Sequence, residues 1–405
     1  MKKHWYSFLL SLICLSFLSG CRSDCTQTLY YMAKVPVYTS IQDLRAQFSI
    51  GDPKPIESIK RIAHRENTLY LLEEDKGIHV VDFSDTQNVQ KQAFITAPGI
   101  EDFVIVDGHL YFAQASDMVT LDISNPSAIS LVQTRGRSFN TQMIKQDSFI
   151  TGYVEKEVVE TRSNVSCSES FIEPAIDEPL GLSREPHVAM HARNNHIYAS
   201  DNTHFFAIDA TVRTKITFSH IQEFFGDGLG PSYVSSNSRF VFAGNPSFIS
   251  AFDIQNNPGR PPRISAFWAG GSCHHFFVDN DLMFVPHFGK EDVNCSDRNL
   301  FTLVDVSNEF APIVIDRFIL TQPKYASSHD GQMVLCDGTG GFRTFNIKNI
   351  SPNSFLQQQQ VFNEDIEASV SHSMKDLIII WGENGLHFFG TRNPFQLELK
   401  SRLAQ

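Results

Sequence analysis

A short phrase recurs through most of this chain and constrains the fold more than any other feature. The phrase consists of two apolar residues, an Asp, another apolar residue and often a Ser. Its copies are Val80–Ser84, Thr120–Ser124, Ala207–Ala210, Ala251–Ile254 and Leu303–Ser307, with a weaker copy at Thr344–Ile347. Internal repeats with a period of roughly 40–50 residues are typical of propellers and solenoids.

The spacing of the copies gives the number of units. Asp82 and Asp122 are 40 residues apart. The gap from Asp122 to Asp209 is about two periods long and leaves room for a degenerate third copy at Val158–Glu160. A last copy near His387–Gly390 has lost the acidic residue. The repeat count is therefore eight.

Each unit has the pattern of four short strands. In the second unit these are Glu101–Val106, Leu110–Ala113, Met118–Ile123 and Ile129–Gln133, and Asp107-Gly108 is a hairpin turn signal. Four-stranded units of this length predict an all-β fold, a single β-propeller of seven or eight four-stranded blades. The number that closes the ring depends on whether the third unit forms a blade or an inserted hairpin.

The recurrent phrase resembles the LVIVD repeat. The resemblance is carried by Val80-Val81-Asp82, Val104–Asp107 and Leu303–Asp305, and it covers roughly residues 35–400. LVIVD repeats occur in bacterial lipoproteins predicted to be β-propellers, so the resemblance implies a fold and a compartment. It implies little chemistry, because the family is mostly uncharacterised. The third and eighth units depart from the pattern.

The first residues have the features of an export signal. Lys2–His4 is basic, and Trp5–Phe17 is an apolar run too short to span a bilayer. Leu18–Cys21 resembles the lipobox of bacterial lipoproteins, which implies cleavage after residue 20 and two or three acyl chains, palmitate among them, on Cys21. The alternative is an ordinary secretory signal. We expect the cell envelope as location, at the outer membrane.

The predicted domain organisation has three parts. Residues 1–20 are the signal peptide, 21–55 a lipidated N-terminus and tether, and 56–405 the propeller, with an insertion near 163–186. The chain has 33 Lys and Arg against 45 Asp and Glu, a net charge of -12, which excludes a nucleic-acid partner because phosphate binding needs a basic surface. Loss of the signal makes the chain more acidic, so acyl chains must supply the membrane attachment.

The cysteines suggest one disulfide. After cleavage of Cys14 and lipidation of Cys21, five remain: Cys25, Cys167, Cys273, Cys295 and Cys336. Cys273 leads into the first strand of unit six, and Cys295 lies in an insertion between the second and third strands of that unit. Such loops emerge on one face of a propeller, which favours a Cys273–Cys295 bridge. Cys336 is the competing partner, and Cys25 and Cys167 form an alternative pair.

The sequence contains no local signature of catalysis. It has no Gly-x-Ser-x-Gly elbow, no His-Glu-x-x-His helix and no phosphate-binding glycine loop. The repeated Asp occurs once per unit, which indicates a structural role in an Asx turn rather than a catalytic one. The 34 Phe residues are expected to fill the space between blades. We therefore predict no catalytic residue.

A histidine cluster is the best candidate for a ligand site. His274 and His275 begin the first strand of unit six, and His287 begins the insertion that follows its second strand. The residues expected at equivalent strand ends near the central opening are Tyr325, Asp337, Glu101 and Asp102. Together these residues predict a site for a small polar ligand or a metal. The alternative is that they anchor loops.

No resident cofactor is predicted, with calcium and zinc kept as alternatives. Asp292, Asn294 and Asp297 resemble part of a calcium-binding loop but lack its Gly and terminal Glu. Zinc would be held by the histidines.

Three functions follow as hypotheses. The favoured one is a non-enzymatic scaffold at the outer membrane that binds a protein or a glycan. The second is a propeller enzyme, a lyase or a hydrolase, with its site at the central opening, because such enzymes assemble residues from many blades. The third is a structural lipoprotein without a soluble ligand.

Overall fold

The computed structural model describes most of the chain after residue 23. The described residues are 24–139, 144–145, 148–166, 188–201, 203–223, 233–244, 249–267, 276–287, 299–348, 350, 359–362, 366–393 and 396–405.

Seven antiparallel blades make up the propeller in the described part of the chain; each has four strands, and the sheet of blade 1 has Ser49–Gly51 as a fifth strand on its outer edge. From the channel outward, the strands are Arg61–Arg65, Thr68–Glu73, Gly77–Asp82 and Gln90–Thr96 in blade 1; Ile100–Val106, His109–Gln114, Asp117–Asp122 and Ser130–Arg135 in blade 2; Ala189–Arg193, His196–Ser200, His204–Asp209 and Thr217–Glu223 in blade 3; and Tyr233–Ser236, Phe240–Gly244, Ile249–Asp253 and Arg263–Phe267 in blade 4.

The remaining strands are Phe277–Asp279, Leu282–His287, Leu300–Asp305 and Ile313–Ile319 in blade 5; Tyr325–His329, Gln332–Cys336, Phe342–Asn346 and Gln359–Phe362 in blade 6; and Ala368–Met374, Leu377–Gly382, Gly385–Asn393 and Gln396–Leu403 in blade 7. The propeller prediction is confirmed, and the predicted strands of the second unit match blade 2 to within one or two residues.

The third unit is not a blade. Its degenerate copy lies on a long strand, Ser148–Ser166, which pairs with the N-terminal strand Asp24–Ser40 and with Ile144–Lys145 in a separate sheet. Val159 in that copy is 55% exposed, whereas the apolar residues of the other copies are buried. Charged residues at 155–157 precede it, so this strand cannot be buried between two neighbours. The ring therefore has seven blades.

Contacts divide the chain into two units, Met1–Val37 with Gly152–Leu182, and Tyr38–Thr151 with Ser183–Gln405. The second unit carries the seven blades. The segment for which the sequence predicts a tether contains the N-terminal strand Asp24–Ser40, the helix Ile41–Gln47 and the short strand Ser49–Gly51. No helix in the described residues has the length and apolar character needed to cross a bilayer.

The helix is fixed to blade 2 by charge and by packing. The Ser40 side chain caps it by accepting from the Asp43 N–H at 3.0 Å. Arg45 donates two hydrogen bonds to the carboxylate of Asp117, at 2.6 and 3.0 Å. Leu44 on the same helix is buried in a small cluster beside the third strand of blade 2. The helix that precedes blade 1 is therefore packed against blade 2.

Each blade is built from one continuous stretch of chain, so the ring closes without exchange of strands between its ends. The first and last blades meet through a shared apolar cluster that includes Leu71, Ile379 and Phe388. The Ser401 hydroxyl on the outer strand of blade 7 donates to the Thr86 carbonyl in blade 1 at 2.5 Å. Side chains, not a shared sheet, hold this seam.

Phenylalanine fills the space between blades, as predicted. Phe205 in blade 3 stacks on Phe252 in blade 4 with ring centroids 3.8 Å apart, and both are fully buried. Phe388 and Phe389 are buried in two different clusters on opposite faces of blade 7. Both faces of a blade are covered by neighbours, so successive residues of one strand can both be apolar.

The repeated Asp forms the predicted Asx turn. In each case a side-chain oxygen accepts the backbone N–H two residues on. These bonds join Asp82 to Ser84, Asp122 to Ser124, Asp209 to Thr211, Asp253 to Gln255, Asp305 to Ser307 and Asn346 to Lys348 at 2.8–3.1 Å. The phrase therefore ends a strand and starts a turn.

A polar pair is buried at the same place in several blades. It joins the end of the second strand to the position three residues before the repeated Asp or Asn. The pairs are His79 with Glu73 at 2.6 Å, Thr302 with His287 at 3.2 Å and Arg343 with Asp337 at 3.2 Å. The chemical identity of the pair differs from blade to blade.

Candidate functional site

The central channel contains a cavity of about 620 Å³. Its lining includes inner-strand residues of all seven blades, from Arg61 in blade 1 to Ser373 in blade 7. Inner strands run side by side around the axis, so each blade contributes its first strand. The cavity falls within the roughly 300–1,000 Å³ of small-molecule sites.

An ion pair lies in the channel wall between blades 1 and 2. Arg61 Nη1 lies 2.6 and 2.7 Å from the two carboxylate oxygens of Asp102, and it also donates to the Met190 carbonyl at 2.9 Å. Asp102 further accepts the backbone N–H groups of Met190 at 2.7 Å and Phe103 at 2.8 Å. The carboxylate is thus held by four hydrogen bonds, and the pair links three blades.

Tyr325 in blade 6 faces this ion pair. Burial raises the pKa of its hydroxyl, and the charge of Arg61 opposes that rise. For Arg61, burial is the largest single effect and would lower the pKa, but the charge of Asp102, that of Tyr325 and the hydrogen bond to Asp102 together outweigh it, and the pKa is raised. At neutral pH the phenol is therefore protonated and the guanidinium charged.

Two histidines among the described lining residues, His191 and His372, are neutral. Burial, followed by the charges of Arg61 and Arg193, lowers the pKa of His191 to about 3. His191 Nε2 lies 2.8 Å from the Ser236 hydroxyl. Burial also lowers the pKa of His372 to about 3, and its ring contacts that of His64. Neither ring carries charge at pH 7.

Serine hydroxyls join neighbouring blades around the cavity. Ser327 in blade 6 lies 2.8 Å from the Ser371 hydroxyl and 2.9 Å from that of Ser373, both in blade 7. Ser328 donates to Asp279 of blade 5 at 2.5 Å. Small side chains are favoured here because inner strands converge toward the axis.

The structure brings three of the seven predicted ligand residues together. Glu101, Asp102 and Tyr325 line the cavity, and Glu101 accepts the Val188 N–H at 2.6 Å. His274 and His275 lie outside the described residues.

His287 and Asp337 are held inside their own blades and are not part of the described lining. His287 is 3% exposed and pairs with Thr302. Asp337 is fully buried, accepts the Gln322 N–H at 2.7 Å and pairs with Arg343. These contacts fix loops and strands.

Sequence reasoning missed Arg61, His191 and the serines. Arg61 and Asp102 each lie about twenty residues before the repeated Asp of their blade. Counting back from each Asp to the inner strand would have found them, because that strand lines the channel. No group of three or more His, Cys, Asp or Glu among the described residues is placed to hold a metal ion.

The described cysteine Cys336 is a free, fully buried thiol. Burial raises its pKa to about 12, which makes it unreactive. Cys167, Cys273 and Cys295, and the side chain of Cys25, lie outside the described residues, so the Cys273–Cys295 bridge stays a prediction.

The family model of the LVIVD repeat matches residues 100–135. These residues are the whole of blade 2, with Asp122 at the end of the third strand. This chain has an LVIVD repeat in blade 2 and folds as a seven-bladed β-propeller. The other blades have the same strand order, and blades 1, 3, 4 and 5 have the same turn at an Asp, with Asn346 in its place in blade 6. In these blades the LVIVD phrase marks the end of the third strand.

Solved structures similar to this chain have low identity to it. BamB from Moraxella catarrhalis is 10% identical with a TM-score of 0.47, covering 91% of this chain and 92% of that one. Hsv2p of Kluyveromyces lactis is 8% identical with a TM-score of 0.47, covering 87% and 99%. The computationally designed Ika8 protein is 8% identical with a TM-score of 0.46, covering 82% and 83%. Comparison with curated proteins gives no match.

Proposed function

We propose that this protein is a non-enzymatic binding scaffold, held at the outer membrane of a bacterial envelope by lipid on Cys21, whose ring engages a protein or a glycan. The observation that supports a scaffold is the state of the channel groups. Asp102 already accepts four hydrogen bonds, and His191 is neutral with a pKa of about 3.

Acid–base catalysis needs a different arrangement. A general acid or base works best when its pKa lies near the operating pH and one of its atoms faces the substrate. The pKa of His372, like that of His191, is far below neutrality, and Asp102 is occupied by Arg61. Groups fixed in this way keep the channel wall rigid, which suits binding by preformed contacts.

The membrane part of the proposal is tested by fractionation. Cys21→Ala should move the protein from the membrane to the soluble fraction, because the acyl chains are lost. Cys25→Ala is the matched control, a cysteine four residues further on that should leave the protein in the membrane. Retention of Cys21→Ala in the membrane would overturn the lipid anchor.

The binding part is tested with the mature protein on a glycan array and by crosslinking in the envelope. Saturable binding of one glycan or one protein, without turnover, is the expected result. Release of new reducing ends or unsaturated sugars from an envelope polysaccharide would reject the scaffold hypothesis in favour of a hydrolase or a lyase. If neither assay yields a ligand, the structural-lipoprotein hypothesis takes its place.

A further inference from the structure

Among the described residues that line the central cavity, positive and negative charges are equal in number. The cations are Lys60, Arg61 and Lys324, and the carboxylates are Glu74, Glu101 and Asp102. Lys60 pairs with Glu74 at 3.0 Å, Arg61 with Asp102 at 2.6 Å, and Lys324 with Glu367 at 3.4 Å. With His191 and His372 neutral, the described part of the lining has three positive and three negative charges and no net charge, although the whole chain has a net charge of -12. A charged ligand would lose its hydration without gaining a counter-charge.

Hydroxyl groups are abundant in the same lining. Of the described lining residues, seven are serines and two are tyrosines. A hydroxyl both donates and accepts hydrogen bonds and can rotate to suit its partner. A ligand that carries many hydroxyls has the same property, so each of its groups can be satisfied in either direction.

Aromatic rings provide an apolar part of the wall. Tyr325 and Phe277 line the cavity from blades 6 and 5, and both are only half-buried. An aromatic ring with a polar tip binds ligands that have one apolar face and a polar rim. Sugar rings have this shape, with C–H groups on their faces and hydroxyls at the edge.

We propose that the central channel binds the end of a neutral glycan, one or two uncharged sugar residues inserted among the serine hydroxyls and against Tyr325. This inference rests on the proposed scaffold function and names its ligand class. Balanced charge, hydroxyl lining, aromatic wall and a cavity of about 620 Å³ are independent observations that agree on it.

Titration calorimetry of the mature protein with four oligosaccharides is the test. The probes are neutral tetramers of glucose and of N-acetylglucosamine, an anionic tetramer of galacturonate and a cationic tetramer of glucosamine. We expect at least one neutral tetramer to bind roughly ten-fold or more tightly than both charged ones. Equal or tighter binding of a charged tetramer, or no binding of either neutral one, would overturn the proposal.

Two variants locate the site in the channel. Tyr325→Phe and Ser369→Ala each remove one lining hydroxyl and should weaken the neutral tetramer by roughly five-fold, the loss of one hydrogen bond. Ser219→Ala, on the outer strand of blade 3, is the matched control and should bind like the wild type. If both channel variants also bind like the wild type, the glycan lies elsewhere. If a protein partner is crosslinked and none of the oligosaccharides binds, the scaffold function is supported and only the glycan inference is rejected.

Discussion

His64 Nδ1 and His372 Nε2 lie 2.7 Å apart and join the first blade of the ring to the last. A hydrogen bond between two imidazoles needs one ring to donate and the other to accept, so at least one must be neutral. Burial lowers the pKa of both rings, and the charge of His329 lowers both further. Arg61 also lowers the pKa of His372, which is about 3. Protonation of both rings at low pH would therefore break this hydrogen bond between the first and last blades.

Acid should weaken the fold through this contact. The pKa of His372 is about 3 in the folded protein and about 6.5 when unfolded, so the unfolded chain binds more protons between these values. The free energy of unfolding is then highest above pH 6.5 and falls as pH falls toward 3, by up to about 3 kcal/mol at pH 4.5 from this residue. Urea unfolding of the wild type and of His372→Gln at pH 7.5 and 4.5 measures it.

The variant should show a smaller loss of stability between the two pH values than the wild type. His220→Gln, on the outer strand of blade 3, is the control and should keep the wild-type pH dependence. Identical pH dependence in His372→Gln and in the wild type would show that the seam pair does not contribute.

The Asx turn predicts a chemical difference between two substitutions of Asp122. Asp122→Ala removes the acceptor of the Ser124 N–H, a bond of 2.8 Å, and should cost about 1 kcal/mol of unfolding free energy. Asp122→Asn keeps an oxygen acceptor and should cost under about 0.5 kcal/mol. Asn346 already makes this bond in blade 6. Equal losses for both variants in thermal unfolding would contradict the structural role.

Glycine is required where blade 1 starts its third strand. Gly77 has a φ of 151°, and a methyl group there would overlap the carbonyl oxygen of Ile95. Gly77→Ala should therefore lower the free energy of unfolding by roughly 2–4 kcal/mol. Gly51→Ala, where no atom lies within 4 Å of the added methyl, should change it little. Calorimetric melting of the two variants gives the comparison, and similar melting temperatures would refute it.

Breaking the Arg61–Asp102 pair should destabilise the ring. Asp102→Asn leaves Arg61 in the channel wall without its counter-charge and should cost about 2–3 kcal/mol. A fully buried pair would cost more, but the Arg61 side chain is 27% exposed. A double-mutant cycle with Arg61→Gln measures the coupling. A coupling energy near zero would mean that the two groups are solvated independently.

The repeat phrase predicted the blades because each blade needs the same local chemistry. The alternation around Val80 and Leu121, and the turn at each Asp, are local properties, so the sequence carries them fully. The third unit shows the limit of this reasoning. Its Val158-Val159-Glu160 copy has the local pattern, but only burial between two neighbours makes such a strand part of a blade, and Val159 is exposed.

The channel was harder to predict because its lining depends on the closure of the ring. Arg61 and Asp102 are separated by 41 residues and meet only when blades 1 and 2 pack together. His287 and Asp337 looked like loop residues with free side chains, yet each has a partner within its own blade. The relation between blades, rather than any local spacing, decides which polar residues face the axis.

The buried polar pairs inside the blades bear on how a ring of similar modules assembles correctly. Seven stretches of similar sequence can exchange strands during folding, and apolar packing alone distinguishes them poorly. His287, at the end of the second strand of blade 5, pairs with Thr302 on the third strand. If that second strand paired instead with the third strand of blade 6, the largely buried guanidinium of Arg343 would lose its carboxylate partner, at a cost of about 1–3 kcal/mol. The buried polar pairs therefore favour pairing of a second strand with the third strand of the same blade over pairing with the third strand of another blade.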